Sequence, residues 1–186
     1  FYQLDMEMAF ASQEDVLETL ETVLQPVYEK FGKFHRVAQA PWRHIPYNEA
    51  MERYGSDKPD LRFGMEFVEL MDVLKTGAFP VFDSAEYIGG ICVPGCASYT
   101  RKQLDHLTDF VKRPQIGAKG LVYVKYNADG SVKSSIDKFY GPEVFQKLKE
   151  KMGASDGDLV LILSGDKPNK ARTQLCALRL EMGDRL

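Results

Sequence analysis

The sequence predicts an α+β fold, a two-layer sandwich in which helices stack on one face of a single sheet. From residue 79 onward, strand pairs alternate with helices in the order β-β-α-β-β-α-β-α. An Asp-Gly turn within residues 127–130 joins two of these strands as a hairpin. Apolar and polar residues alternate over residues 1–11, which predicts one further strand ahead of this module.

The first 62 residues are predicted to hold that strand, two helices and a charged loop. Ser12 can cap a helix whose apolar residues recur at helical spacing up to Gly32. Pro26 lies inside it and predicts a kink or two helical pieces. A short helix is predicted over Tyr47–Tyr54, and the following YGSDKPDLRF (residues 54–63) is predicted as a loop because glycine, proline and charge break any periodicity.

The rest of the chain is predicted to alternate between short strands and amphipathic helices. Thr100 and Gln103 form a capping box for one helix, and Pro142 and Pro168 suit the first positions of two more. Strands are predicted over residues 79–82, 88–93, 121–126, 132–139 and 159–163. The other helices are predicted over residues 69–75, from Thr100 to just before Pro114, and over 142–152 and 168–182, the last ending at Gly183.

Composition excludes several classes of protein. Of the 186 residues, 44% are hydrophobic and 27% charged, as in a globular domain, and no apolar run or leader predicts a membrane or secretory protein. Residues 1–98 hold 8 Lys and Arg against 16 Asp and Glu, whereas residues 99–186 hold 16 against 11. The net charges of −8 and +5 exclude a strongly basic nucleic-acid binder and leave a local basic face in the second half.

The cysteines indicate a reducing, cytoplasmic compartment. Cys92, Cys96 and Cys176 form an odd, sparse set without partners at zinc-finger spacing. We interpret Cys92 and Cys96 as small apolar residues beside a glycine-rich strand end, with metal or redox chemistry as the alternative.

No catalytic motif emerges from the residues alone. The sequence lacks G-x-S-x-G, a Walker A loop, H-E-x-x-H and an EF-hand loop, and His35, His44 and His106 are scattered. The GAKG segment (residues 117–120) is interpreted either as a phosphate-binding loop or as a two-glycine turn. The polar side of the first strand, with Gln3, Asp5 and Glu7, is either a pocket wall or a solvent face.

Two segments carry a resemblance to a known family. FYQLDMEMAF (residues 1–10) resembles the strand that closes motif 2 of class II aminoacyl-tRNA synthetases, and YGSDKPDLRF resembles the signature of bacterial-type aspartyl-tRNA synthetases. Further matching segments follow in the same order: RKQLD (101–105), GAKGLVYVK (117–125), IDKF (136–139), GDLVL (157–161), DKP (166–168) and ALRL (177–180). VPGCA (93–97) departs from the family's usual V-P-G-G-A at Cys96.

The resemblance implies a division into three parts. Residues 1–62 resemble part of a class II catalytic domain, and residues 63–174 resemble the insertion (GAD-like) domain between motifs 2 and 3. That domain is similar to one in the B subunit of bacterial tRNA-dependent amidotransferases, and its β-β-α-β-β-α architecture agrees with the predicted order. Residues 175–186 would return toward the catalytic domain.

The resemblance also implies an activity for the parent enzyme. Such enzymes join aspartate to tRNA with ATP and Mg²⁺, and act as homodimers. The motif 2 and motif 3 arginines of the family have no counterpart in this sequence, so the piece alone is expected to be inactive and to bind no cofactor. By resemblance, Gln3 and Asp5 line the aspartate or adenylate site, where the Asp5 carboxylate would pair with the substrate ammonium. No catalytic or metal-binding residue is predicted.

The expected partners are the tRNA acceptor end, contacted weakly by this piece, and the rest of the synthetase. One alternative function is a free-standing adaptor or tRNA-binding module related to the amidotransferase domain, and another is a small independent enzyme. The opening strand and YGSDKPDLRF argue against an adaptor, which has no use for a synthetase strand. No constellation of residues supports the small enzyme.

Overall fold

The computed structural model describes residues 1–33 and 37–186, and their contacts form two units, residues 1–45 and residues 46–186. The helices are α1 (Gln13–Phe31), α2 (Tyr47–Tyr54), α3 (Met71–Leu74), α4 (Pro80–Asp83), α5 (Arg101–Lys112), α6 (Pro142–Met152) and α7 (Pro168–Arg185). The strands are β1 (Val68–Glu69), β2 (Tyr87–Val93), β3 (Val122–Tyr126), β4 (Val132–Ser134) and β5 (Leu159–Gly165). Among the described residues, no helix is long and apolar enough to cross a membrane.

The first unit is built around α1. Ser12 caps the helix, as the sequence predicts, and Asp15 completes a capping box by accepting from the Ser12 N–H. Of the two outcomes predicted at Pro26, a division into two helical pieces is wrong, because α1 continues through it to Phe31. A proline removes one backbone donor, and the helical hydrogen bonds on either side of it hold this helix together.

The predicted strand over residues 1–11 is also absent. Residues 1–8 form no regular element, and they are exposed on their polar and apolar sides alike. A β-strand needs a neighbouring strand to pair its N–H and C=O groups, and no described part of the chain pairs with this segment. The alternating pattern alone therefore does not produce a strand here.

The second unit is built on a five-stranded antiparallel sheet in the order β1-β2-β5-β3-β4. The central pair, β2 and β5, is in register over seven residues from Tyr87 opposite Gly165 to Val93 opposite Leu159. An unbroken apolar run makes up most of β5, and its first five residues are buried. Such runs are typical of strands covered on both faces.

Helices cover both faces of this sheet, so the predicted arrangement on one face is wrong. Alternate side chains of β2 and β5 point to opposite faces, as the pleat requires. One face packs on α5 and α7 and includes Ile91, Val93, Leu159, Leu161, Leu163, Leu107 and Leu178. The other packs on α3, α4 and α6 and includes Ile88, Val160, Ile162, Leu74, Phe82 and Leu148.

Several shorter predictions also need correction. Residues 79–82 were predicted as a strand but begin α4, because Pro80 suits the first turn of a helix and not a sheet interior. The helix predicted over residues 69–75 is shortened to α3 by the edge strand β1. The strand predicted over residues 132–139 ends at Ser134, whose hydroxyl bonds to the Tyr123 carbonyl and accepts from the Ile136 N–H.

Helix α7 continues past Gly183, where the sequence predicts its end. A Cβ atom at Gly183 would lie 2.5 Å from Cζ of Phe63. This glycine therefore permits close packing of the Phe63 ring inside the helix and does not act as a cap.

Candidate functional site

The predicted substrate residues Gln3 and Asp5 lie in the exposed segment before α1. Their side chains form no hydrogen bond or ion pair with any described residue, and Glu7 is exposed in the same way. No described side chain that could help to bind a substrate lies beside them. Their role in an aspartate site therefore stays a prediction.

The YGSDKPDLRF segment begins at the end of α2. Gly55 closes that helix in the left-handed conformation, with φ 69°, and its N–H bonds to the carbonyls of Ala50 and Met51. Arg53 joins the last turn of α2 to Glu66 and to Glu49 through its guanidinium. Hydrogen bonds therefore join this segment to α2 at two points, at Gly55 near the beginning of the loop and at Glu66 just after its end.

A buried arginine on α7 holds the second half of this loop. Arg179 is 0% exposed, and its guanidinium donates hydrogen bonds of 2.8–3.2 Å to the carbonyls of Asp60, Phe63, Gly64 and Met65. The same group lies 4.3 Å from the ring centre of Phe63 and 5.0 Å from that of Tyr54. Backbone carbonyls and aromatic faces thus replace water around this cation.

Charges in the loop respond to this environment. Burial lowers the pKa of Arg179 from its ordinary value, while Cys176 and Asp60 oppose the shift. Hydrogen bonds from Arg62 lower the pKa of Asp60 to about 2, so its carboxylate stays ionised at neutral pH. The loop is an ordered, charged structure docked on α7.

Sequence reasoning missed Arg179 as an important residue. The segment ALRL was noted only as a match to the family. A signal was present, because Arg179 lies four residues after Leu175 and three before Met182, on the apolar side of α7. A charged residue inside an apolar stripe indicates a buried group with specific partners.

The positive charge of the second half is partly neutralised by neighbours. Lys149 pairs with Asp156 at 2.6 Å, and Lys151 pairs with Asp72. Within the described residues, Lys147 has no such partner and is exposed. The three lysines of α6 thus do not form one basic face, and other lysines must supply any contact with an anion.

The cysteines and the described histidines form no reactive centre. Burial raises the pKa of Cys92 to about 12, and its thiol lies 3.7 Å from the Asp158 carboxylate. All three cysteines are free, and the described residues include no cluster of His, Cys, Asp and Glu that could hold a metal. His44 bonds to Glu21 at 3.0 Å, and His35 lies outside the described residues. The three cysteine thiols remain protonated at neutral pH.

The fold and the matched segments define an α+β domain of one family. A model of the GAD domain family matches residues 81–175, from α4 into α7, which is about half of the chain. The chain therefore belongs to the GAD domain family.

Relatives of this chain extend the match over its full length. It is 59% identical over all 186 residues to an aspartate–tRNA ligase of Bacteroides fragilis, and 57% identical to that of Bacteroides thetaiotaomicron. The aspartate–tRNA ligase of Flavobacterium psychrophilum is 47% identical over the same 186 residues. The chain spans about a third of the length of these relatives. The predicted resemblance to bacterial-type aspartyl-tRNA synthetases is confirmed.

Proposed function

We propose that this chain works as part of an aspartate–tRNA ligase, which activates aspartate with ATP and Mg²⁺ and transfers it to tRNA in the cytoplasm. The observation that carries this proposal is the identity of 59% across all 186 residues, including the YGSDKPDLRF loop outside the GAD match. The described residues include no cluster of His, Cys, Asp and Glu that could hold Mg²⁺.

Gln3 and Asp5 are the proposed aspartate contacts. Their segment would become a strand when a neighbouring strand of the synthetase supplies the missing backbone partners. One side of that strand is apolar and the other presents Gln3, Asp5 and Glu7. The Asp5 carboxylate would then pair with the ammonium group of the bound amino acid.

The unit of residues 46–186 is proposed to position tRNA near its acceptor end, within an enzyme that acts as a homodimer. The net charge of +5 over residues 99–186 supports this role, since RNA binding depends on neutralising phosphates. A second candidate is an independent tRNA-binding module, which is favoured by the separate core of this unit on both faces of its sheet.

Exchange of the matching segment tests the proposed function. We would replace the corresponding residues of the Bacteroides fragilis aspartate–tRNA ligase with this chain and measure aspartate-dependent ATP–pyrophosphate exchange. The chimera is expected to keep activity within about tenfold of the parent, because the two segments are 59% identical over all 186 residues. A folded chimera without exchange activity would contradict the proposal and would favour the second candidate, an independent tRNA-binding module.

Binding of tRNA by the chain itself is expected to be weak and to depend strongly on salt. With about three phosphate contacts, log affinity should fall with log salt at a slope of about −2. Fluorescence anisotropy of a labelled tRNA between low and moderate KCl measures this slope. A slope near zero would show that contacts between lysine or arginine and the phosphates do not contribute to tRNA binding.

A further inference from the structure

A cleft opens on the sheet face that packs on α3, α4 and α6. Its volume is about 550 Å³, within the range of small-molecule sites, and it lies beside the GAKG turn. Val122, Ile136 and Ile162 contribute apolar side chains to its lining. Phe79, which is half-buried, also lines it, and the Phe82 ring packs behind Phe79 with a ring-centre distance of 5.0 Å and only 1% exposure. The cleft thus offers aromatic and aliphatic surface to a flat apolar group.

A smaller basic cleft adjoins the apolar one. Lys119, Lys167 and Lys170 line it beside the first turn of α7. The segment Ser164–Asp166 and Lys119 line both clefts, so the two lie side by side. None of the three lysines pairs with a described carboxylate, in contrast to Lys149 and Lys151. Their ammonium groups are therefore available to a bound anion.

The combination is more specific than either cleft alone. An apolar cleft suits many hydrophobic groups, and three lysines suit many anions. A nucleotide joins a flat base to a phosphate, and aromatic surfaces with neighbouring cations are the usual elements of single-strand RNA sites. Asp166 is the one carboxylate present, and it can accept hydrogen bonds from sugar hydroxyls or from an exocyclic amine.

We propose that this double cleft binds one unpaired nucleotide of RNA, with the base against Phe79 and the phosphate at Lys119, Lys167 and Lys170. The proposal rests on the proposed function, since the RNA would be the tRNA substrate. The proposal specifies where the RNA binds, which is the double cleft, and what part of the RNA binds there, which is a single-stranded nucleotide and not the surface of a duplex.

Two variants separate the two halves of the cleft. Gly120→Phe should fill the apolar part. Gly120 lines that cleft, has an ordinary negative φ, and a Cβ there meets no atom within 4 Å, so the fold should tolerate the change. Lys167→Ala with Lys170→Ala removes two of the cations. The matched controls are Ala128→Phe, in the turn at the other end of the β3–β4 hairpin, and Lys102→Ala with Lys133→Ala.

The test is an NMR titration of the ¹⁵N-labelled 186-residue chain with AMP, adenosine and inorganic phosphate. AMP should shift the amide signals of Gly120, Val122 and Ser164. Gly120→Phe should weaken AMP and adenosine about tenfold and leave phosphate unchanged. The double lysine variant should weaken AMP and phosphate about tenfold and leave adenosine unchanged, while both controls match the unmodified chain.

Three results would overturn the proposal. The first is the absence of AMP shifts at the cleft. The second is equal AMP affinity in Gly120→Phe and its control, and the third is phosphate binding as tight as AMP binding, which would indicate a site for a simple anion. In the segment-exchanged ligase, Gly120→Phe should keep pyrophosphate exchange but weaken tRNA binding about tenfold. A chimera without exchange activity tells against the proposed function, whereas failed AMP binding in an active chimera tells against the cleft alone.

Discussion

Replacing Arg179 with methionine is expected to lower the free energy of unfolding of residues 46–186 by about 4 kcal/mol. Methionine fills much of the same volume but donates no hydrogen bond. The carbonyls of Asp60, Phe63, Gly64 and Met65 would lose the donor they share. Lysine at the same position keeps the charge but cannot reach this fan of acceptors, so we expect it to lose most of the same stability.

Urea denaturation followed by circular dichroism measures this loss. The control is Arg185→Ala on the same helix, which removes the pair with Glu181 one turn away and a contact with the Tyr99 hydroxyl, both near the surface. Such a pair contributes about 0.3–0.5 kcal/mol. If Arg179→Met and Arg185→Ala lower the free energy of unfolding by the same amount, the buried guanidinium does not hold the loop to α7.

Gly55→Ala is expected to cost about 3 kcal/mol of stability. Gly55 has φ 69°, which a side chain adopts only with strain. A Cβ atom there would also overlap the carbonyl oxygen of Arg172 on α7 and approach Cε2 of Phe67 to 2.8 Å. The substitution therefore combines backbone strain with a steric conflict between α2 and α7.

Gly130→Ala separates these two contributions. Gly130 has φ 80° in an exposed turn, and a Cβ there meets no atom within 4 Å. It should lose only the conformational cost of about 1 kcal/mol. Thermal or urea unfolding of both variants compares them. Equal losses would mean that the close approach of Gly55 to α7 contributes nothing to stability.

Local signals in the sequence predicted much of the fold. The cap at Ser12, the capping box at Thr100 and the prolines at the first positions of α6 and α7 correctly predicted where four helices begin. The apolar run of β5 predicted a buried strand. These features are local, because a cap, a turn or an apolar period is formed by residues close together in the chain.

Features that depend on distant residues were not predictable in this way. The alternating pattern of residues 1–11 predicts a strand, but forming one requires a neighbouring strand to pair with. The edge strand β1 has only two residues and is defined by its pairing with Gly89 and Gly90. The packing of helices on both faces of the sheet follows from tertiary contacts, although the continuous apolar run of β5 is consistent with it.

The candidate site divides in the same way. The family motif identified the YGSDKPDLRF loop, but its docking on Arg179 depends on residues more than a hundred positions apart. Helices α2 and α7 also pack together, so residues on either side of the predicted insertion domain meet. The predicted division at residues 62/63 and 174/175 stays a prediction. It requires the segments before and after the insertion to meet, as α2 and α7 do.

The most direct test of the account is the aspartate dependence of pyrophosphate exchange in the segment-exchanged ligase carrying Asp5→Asn. The account predicts that kcat/KM for aspartate falls about 100-fold, because the amide cannot pair with the substrate ammonium as a carboxylate does. Glu7→Gln, two residues along the same polar side, should remain within about twofold. An Asp5→Asn enzyme as active as Glu7→Gln would contradict the assignment of this segment to the aspartate site.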